Sequence, residues 1–91
     1  MLFISYDISD NKLRTKFSKF LTRFGHRLQY SLFEVRNSNR ILENIREEIR
    51  NDFVRHFSQS DSVMIIKLNP TCDVERYGYA QNDEDDILIV G

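Results

Sequence analysis

Two carboxylates, Asp7 and Asp10 in the stretch YDISD, stand directly before six basic side chains. From Asn11 to Phe33 the chain carries Lys12, Arg14, Lys16, Lys19, Arg23 and Arg27, and no Asp or Glu. A hard divalent ion such as Mg2+ is commonly held by one or two protein carboxylates, with water and phosphate oxygens completing its shell. Cations unmixed with acids suit phosphates, whose condensed counterions they displace. The basic run points to nucleic acid, and Asp7 offers one carboxylate that such an ion could use.

Each feature also has a plainer reading. A lone Asp at a strand end is more often a turn or cap residue than a metal ligand, although two copies in a dimer could converge. Asp10 precedes a helix and is read as its N-cap, outside the site. A charged helix face is usually just solvated, but such faces mix signs because opposite charges at i, i+4 stabilise them. Six like charges repel one another, and phosphates would offset that cost.

Other chemistries find no support. His26 and His56 lack a second ligand at metal spacing and read as surface or strand-end residues. The single Cys72 has no disulfide partner and no zinc spacing, which fits a reducing cytoplasm. No Ser-His-Asp set or phosphate-binding Gly-rich loop is recognisable. The strands also lack the aromatic pattern with which RNA-recognition motifs stack bases.

These residues must be positioned by a small domain, since 91 residues hold one core. Residues 1–78 are read as that domain, and 79–91 as an acidic linker followed by a C-terminal strand. The net charge of -1 hides a strong asymmetry: Asp73, Glu75, Asp83, Glu84, Asp85 and Asp86 face only Arg76 in the last stretch. The N-terminal apolar run is too short for a signal or membrane segment and is interrupted by Asp7. A cytoplasmic protein without membrane contact is expected.

Leu2, Ile4, Tyr6 and Ile8 alternate with Phe3, Ser5 and Asp7, the period of a central strand. Leu13, Phe17, Phe20, Leu21 and Phe24 then recur at helical spacing, with Gly25 as a stop. At about 100° per residue, Lys12, Lys16, Lys19 and Arg23 fill a narrow arc beside the apolar stripe, and Arg14 flanks the stripe on its other side. Residues 26–36, HRLQYSLFEVR, form one long strand or two short ones joined by a bend. Asn37 to Asn39 make a turn and cap. Ile41, Leu42, Ile45, Ile49, Phe53 and Phe57 give a second helix of mixed charge.

DSVMIIKLN reads as a strand buried on both faces beside the first, and NPTCDVERYGY as a short strand after a Pro turn. The terminal ILIV is either an edge strand of its own sheet or a strand offered to another chain. This order is the α+β plan of a ferredoxin-like βαββαβ sandwich, an antiparallel sheet with two helices on one face. That fold alone fixes no function.

YDISD, the basic helix ending in FGHR, LQYSLFEV, a second amphipathic helix and DSVMIIKL, in this order, resemble the CRISPR-associated protein two family, the small adaptation subunit that partners the CRISPR integrase. The match covers roughly residues 1–69. The resemblance implies a homodimer that binds duplex protospacer DNA and bridges integrase dimers during spacer acquisition in antiviral defence. It implies that C-terminal strands cross to the partner's sheet and that the two Asp7 copies face each other across the dimer axis. It places Asp7 at the metal ligand and at the catalytic position of a Mg2+-dependent nuclease, an endoribonuclease or DNase, ascribed to the family. Lys12, Arg14 and Lys16 match positions that touch phosphates, Lys19 extends that row, and Arg27 and Phe33 fall on positions of the second-strand motif. Tyr6, beside Asp7, joins Phe33 as a supporting residue. A ligand-binding regulatory dimer is the third reading, without a Gly-rich ligand loop to favour it.

Overall fold

In the computed structural model, residues 1–68 and 70–78 are described. The acidic stretch and the ILIV strand expected after Gly78 lie outside the described residues. The elements run β1 (Leu2–Asp7), α1 (Asn11–Thr22), β2 (Gly25–Gln29), β3 (Leu32–Val35), α2 (Asn39–Asn51), a 3-10 turn (Phe53–His56), β4 (Ser62–Leu68) and β5 (Cys72–Gly78). They form one antiparallel sheet in the order β2-β3-β1-β4-β5. The first four strands with α1 and α2 make the ferredoxin-like sandwich, and β5 adds an edge strand beside β4.

Period-2 alternation puts Leu2, Ile4 and Tyr6 of β1 on the helix-covered face, in register with Phe33 and Val35 of β3 and with Val63 and Ile65 of β4. All seven are buried. Leu13, Phe17 and Leu21 of α1 and Leu42, Ile45 and Ile49 of α2 close the core from above. Phe17 and Phe53 meet edge to face at 4.8 Å between centroids, joining α1 to the 3-10 turn. Among the described residues nothing covers the opposite face of the sheet. There β4 presents Met64 and Ile66 half-buried, so a strand read as buried on both faces is fully buried on one.

Residues 26–36 resolve into two strands. Tyr30 and Ser31 make a two-residue connection, and neither has positive φ, so the hairpin is not of the glycine-favouring type I′ or II′ class. A bulge at Leu28 breaks the register between Arg27 and Gln29. Leu28 and Tyr30, read from the sequence as members of an apolar face with Leu32, are exposed.

Gly25 also has a different role from the helical stop expected. α1 ends through Arg23 in right-handed geometry, and Gly25 opens β2 where a Cβ would run into the Glu34 carbonyl oxygen and the Val35 backbone. Its hydrogen atom permits the strands' close approach.

Among the described residues no helix is long and apolar enough to cross a membrane. Cys72 is a free, exposed thiol on β5.

Candidate nucleic-acid interface

Asp10 caps α1, its Oδ2 accepting the Leu13 N–H at 2.8 Å. No acid occupies the first helical turn, while Lys12 and Arg14 add charge to the positive end of the helix dipole. The Asp10 carboxylate at the cap offsets part of that charge, so the groups at this end that can meet an anion are the Lys12 and Arg14 side chains. Lys12, Lys16 and Lys19 line one side of the exposed surface together with Asn11 and Thr15. Lys16 is partly engaged, its Nζ lying 3.4 Å from Asp52 Oδ2 and 5.7 Å from the Phe53 ring centroid. His56 of the 3-10 turn, read from the sequence as a surface residue, borders the same side next to Lys12 and Lys16.

Arg14 belongs to a second cluster. Its Nη1 donates to the Ile8 carbonyl at 2.9 Å and its Nη2 donates to Asn11 Oδ1, so it ties α1 back to the end of β1. With Tyr6, Thr15, Ser18, Arg27 and Tyr30 it lines a hollow of about 130 Å³. Arg27 lies over the Phe33 ring at 5.4 Å, which accounts for Phe33 as its support. Burial pushes the Tyr6 hydroxyl's pKa up, with Arg27 and then Arg14 pulling the other way. The phenol therefore stays protonated at neutral pH and offers both a donor and an acceptor.

The basic ridge is thus two surfaces, a lysine side and an arginine hollow, with Thr15 bordering both. Thr15, Ser18 and Tyr30 were missed in the sequence. The hydroxyls carried a recoverable signal, one and four residues after Arg14 on a helix, whereas Tyr30 carried none.

Asp7 stands apart from both clusters. As the last residue of β1 it alternates away from Tyr6 and lies exposed on the uncovered sheet face, in one row with Ser62 and Gly78. Among the described residues no three of His, Cys, Asp and Glu come together as a metal site. Asp7 is the candidate carboxylate that the described residues present here. That donor set fits Mg2+ only in its mode of few protein ligands, with phosphate, water or a second copy of Asp7 supplying the rest.

A further residue missed in the sequence holds the loop between Asp7 and Asp10. Asp61, 1% exposed, accepts from the Ser9 N–H at 2.9 Å, the Ser9 hydroxyl at 3.0 Å and the Ser58 N–H at 2.8 Å. Burial alone would raise its carboxyl, but the hydrogen bonds from Ser58 and Ser9 together hold it below the ordinary carboxylate range.

The family model described as CRISPR associated protein Cas2 matches residues 1–76. The chain is 30% identical over 73 residues to the CRISPR-associated endonuclease Cas2 2 of Thermus thermophilus, covering 74% of this chain and 81% of the relative. It is 34% identical over 73 residues to the CRISPR-associated endoribonuclease Cas2 4 of Rhodospirillum rubrum, covering 80% of this chain and 56% of the relative. With the CRISPR-associated endoribonuclease Cas2 of Mycobacterium tuberculosis the identity is 33% over 75 residues, covering 82% of this chain and 63% of the relative. No solved structure matches it.

Proposed function

This chain belongs to the CRISPR-associated Cas2 family, and from that premise we propose that it acts as a homodimer that binds duplex DNA and bridges integrase dimers during spacer acquisition. The observation that carries the reading is the exposed face of α1, a helix with no acid of its own, with Lys12, Lys16 and Lys19 on one side and Arg14 with Arg27 on the other. Two such cationic surfaces suit a polyanion, and a duplex offers regularly spaced phosphates to both. The uncovered sheet face supports self-association, because Phe3, Met64, Ile66 and Val74 share it while remaining incompletely buried in one chain.

Titration of a labelled duplex at increasing salt tests the reading. The logarithm of affinity falls linearly with the logarithm of salt concentration, and Lys12→Ala with Arg14→Ala flattens the slope. A salt-insensitive interaction, or none, overturns it. Co-elution with the integrase, in a complex whose size shows two integrase dimers per Cas2-family dimer, tests the bridging step.

A second reading, a Mg2+-dependent endonuclease acting on RNA or DNA, is favoured by the exposed position of Asp7 and by the names of the relatives. Mg2+ held there would neutralise phosphate charge and lower the pKa of a bound water. The chain's own contribution is to present the Asp7 carboxylate at a strand end fixed by the Ser9–Asp61 contacts. Cleavage assays on RNA and DNA with and without Mg2+, using wild type and Asp7→Asn, decide it; cleavage that survives the substitution removes Asp7 from the role.

A further inference from the structure

We infer that His56 is a phosphate-contacting residue on the lysine side of α1, and that its protonation adds one cation there, so that duplex binding tightens as the imidazole becomes charged. The inference rests on the duplex reading above and names a contact and a regulation of that same surface.

His56 ends the 3-10 turn, which packs against α1 through the edge-to-face pair of Phe53 and Phe17. That packing sets the imidazole beside the first turns of α1, where it borders an open recess of about 380 Å³ with Asp10, Lys12, Leu13 and Lys16. The His56 side chain is 60% exposed and that of Lys16 61%, so both can be reached by a ligand lying across the helix.

Asp52 gives the cluster its direction. It stands at the C-cap of α2, where a carboxylate meets the negative end of the helix dipole and is unfavourable without cations beside it. Lys16 Nζ lies 3.4 Å from its Oδ2, and His56 Nε2 lies 3.4 Å from its Oδ1. Arg55, the neighbour of His56 in the turn, is directed elsewhere, its Nη1 donating to the Asn51 carbonyl at 3.4 Å. With a neutral imidazole, Lys12 and Lys16 are therefore balanced by Asp10 and Asp52. Protonation of His56 makes the balance positive.

The change is local as well as overall. Placed against a carboxylate, Nε2 is the nitrogen that keeps the proton, and a neutral ring then presents the bare Nδ1 lone pair, an acceptor that a phosphate oxygen avoids. In the imidazolium both nitrogens donate. Nε2–H stays on Asp52, and Nδ1–H is offered to a phosphate alongside the Lys12 and Lys16 ammonium groups. Histidine changes charge between about pH 5 and 8, a range in which lysines stay charged. Phosphate favours the protonated ring, so binding takes up a proton and affinity rises as pH falls. His26, the other histidine, provides an internal control, because it lies on β2 with its Nε2 3.9 Å from Glu34 and borders a different surface, with Gly25, Val35 and Arg36.

Salt titrations of a labelled blunt duplex at about pH 6 and about pH 8 test the inference. Wild type binds roughly threefold to tenfold more tightly at the lower pH, with a salt slope steeper by about one phosphate contact. His56→Ala loses both differences, whereas His56→Lys binds tightly at either pH, and His26→Ala keeps the wild-type profile. Thermal melts of the free proteins at both pH values control for folding. A pH dependence that persists in His56→Ala, or that is lost in His26→Ala instead, overturns the inference. So does a folded His56→Lys that binds as weakly as His56→Ala. Each of these results leaves the duplex reading standing, provided that wild type still binds with a salt-dependent affinity. Absence of binding by wild type at either pH overturns both.

Discussion

Asp61 Oδ1 accepts the backbone N–H of Ser9 at 2.9 Å across 52 residues of chain, and so a buried carboxylate just before β4 fixes the loop that follows Asp7. Its other oxygen takes the Ser58 N–H at 2.8 Å, closing the turn on its own side. Asp61→Ala leaves these donors unpaired and costs about 1–3 kcal/mol, lowering Tm by roughly 10 °C in a domain of this size. Asp61→Asn is nearly as damaging, because an amide turns donors toward donors. Calorimetry of the two variants checks both expectations.

The same carboxyl gives stability a defined dependence on acid. Its pKa lies lower in the folded protein than in the unfolded chain, so its contribution is complete above the ordinary Asp value of about 3.9 and fades as pH falls through the folded value. The stability gap between wild type and Asp61→Asn should therefore stay constant from pH 7 to about pH 5 and shrink on further acidification. Urea unfolding of both proteins across this range measures the gap. A gap that widened toward low pH would contradict the assignment.

Arg46 of α2 reaches across to β5, where its guanidinium pairs with both oxygens of Glu75, and Tyr77 donates its hydroxyl to Glu75 Oε1 at 2.9 Å. Glu75 titrates lower than usual, chiefly through the Arg46 hydrogen bonds, with burial opposing. The pair is partly solvated, so Arg46→Met costs less than about 1 kcal/mol globally. Its effect concentrates on the edge strand. Hydrogen exchange of β5 amides should accelerate in Arg46→Met while β1 and β3 amides keep their protection.

Much of this arrangement could be read from sequence because it is governed by local rules. Asp10 caps α1 and Ser38 caps α2 as their residue types require, and the helical spacing from Leu13 to Leu21 and from Leu42 to Ile49 identifies the buried faces. What escaped was decided at a distance. The Tyr30–Ser31 turn carries none of the Gly, Asn or Pro that mark a hairpin, since pairing of β3 with both β1 and β2 imposes it. Asp61 looked like one more polar residue in a loop, because Ser9 is far away in the chain. Arg14 was placed correctly across the helix from the lysines, but its bonds to Ile8 and Asn11 depend on how β1 ends.

The lysines of α1 should separate by their neighbours. Lys16 touches Asp52 and Phe53, whereas among the described residues Lys12 and Lys19 have no ion pair. Lys12→Ala and Lys19→Ala should each reduce the salt slope of duplex binding by about one phosphate contact, with folding stability unchanged within about 0.5 kcal/mol. Lys16→Ala should weaken binding and also lower Tm slightly. Parallel salt titrations and thermal melts make the comparison.

Asp7 yields the sharpest separation of stability from function. It is exposed at the end of β1, hydrogen-bonds to no side chain among the described residues, and its neighbour Tyr6 carries the packing instead, meeting Phe17 at 5.1 Å. Asp7→Asn should leave the thermal melt within about 0.5 kcal/mol of wild type, since an exposed carboxylate at a strand end supports nothing beneath it. Tyr6→Ala should instead cost about 3–5 kcal/mol, as for other large aromatic truncations in a core. If two Asp7 carboxylates share a Mg2+ across a dimer, adding Mg2+ raises the Tm of wild type by an amount that grows with metal concentration, and Asp7→Asn abolishes that rise. Mg2+-dependent cleavage, where present, is lost in the same variant with duplex binding through Lys12 and Lys19 retained. A variant that loses cleavage and melts early would instead make Asp7 a structural residue, and its place at the exposed end of β1 argues against that outcome.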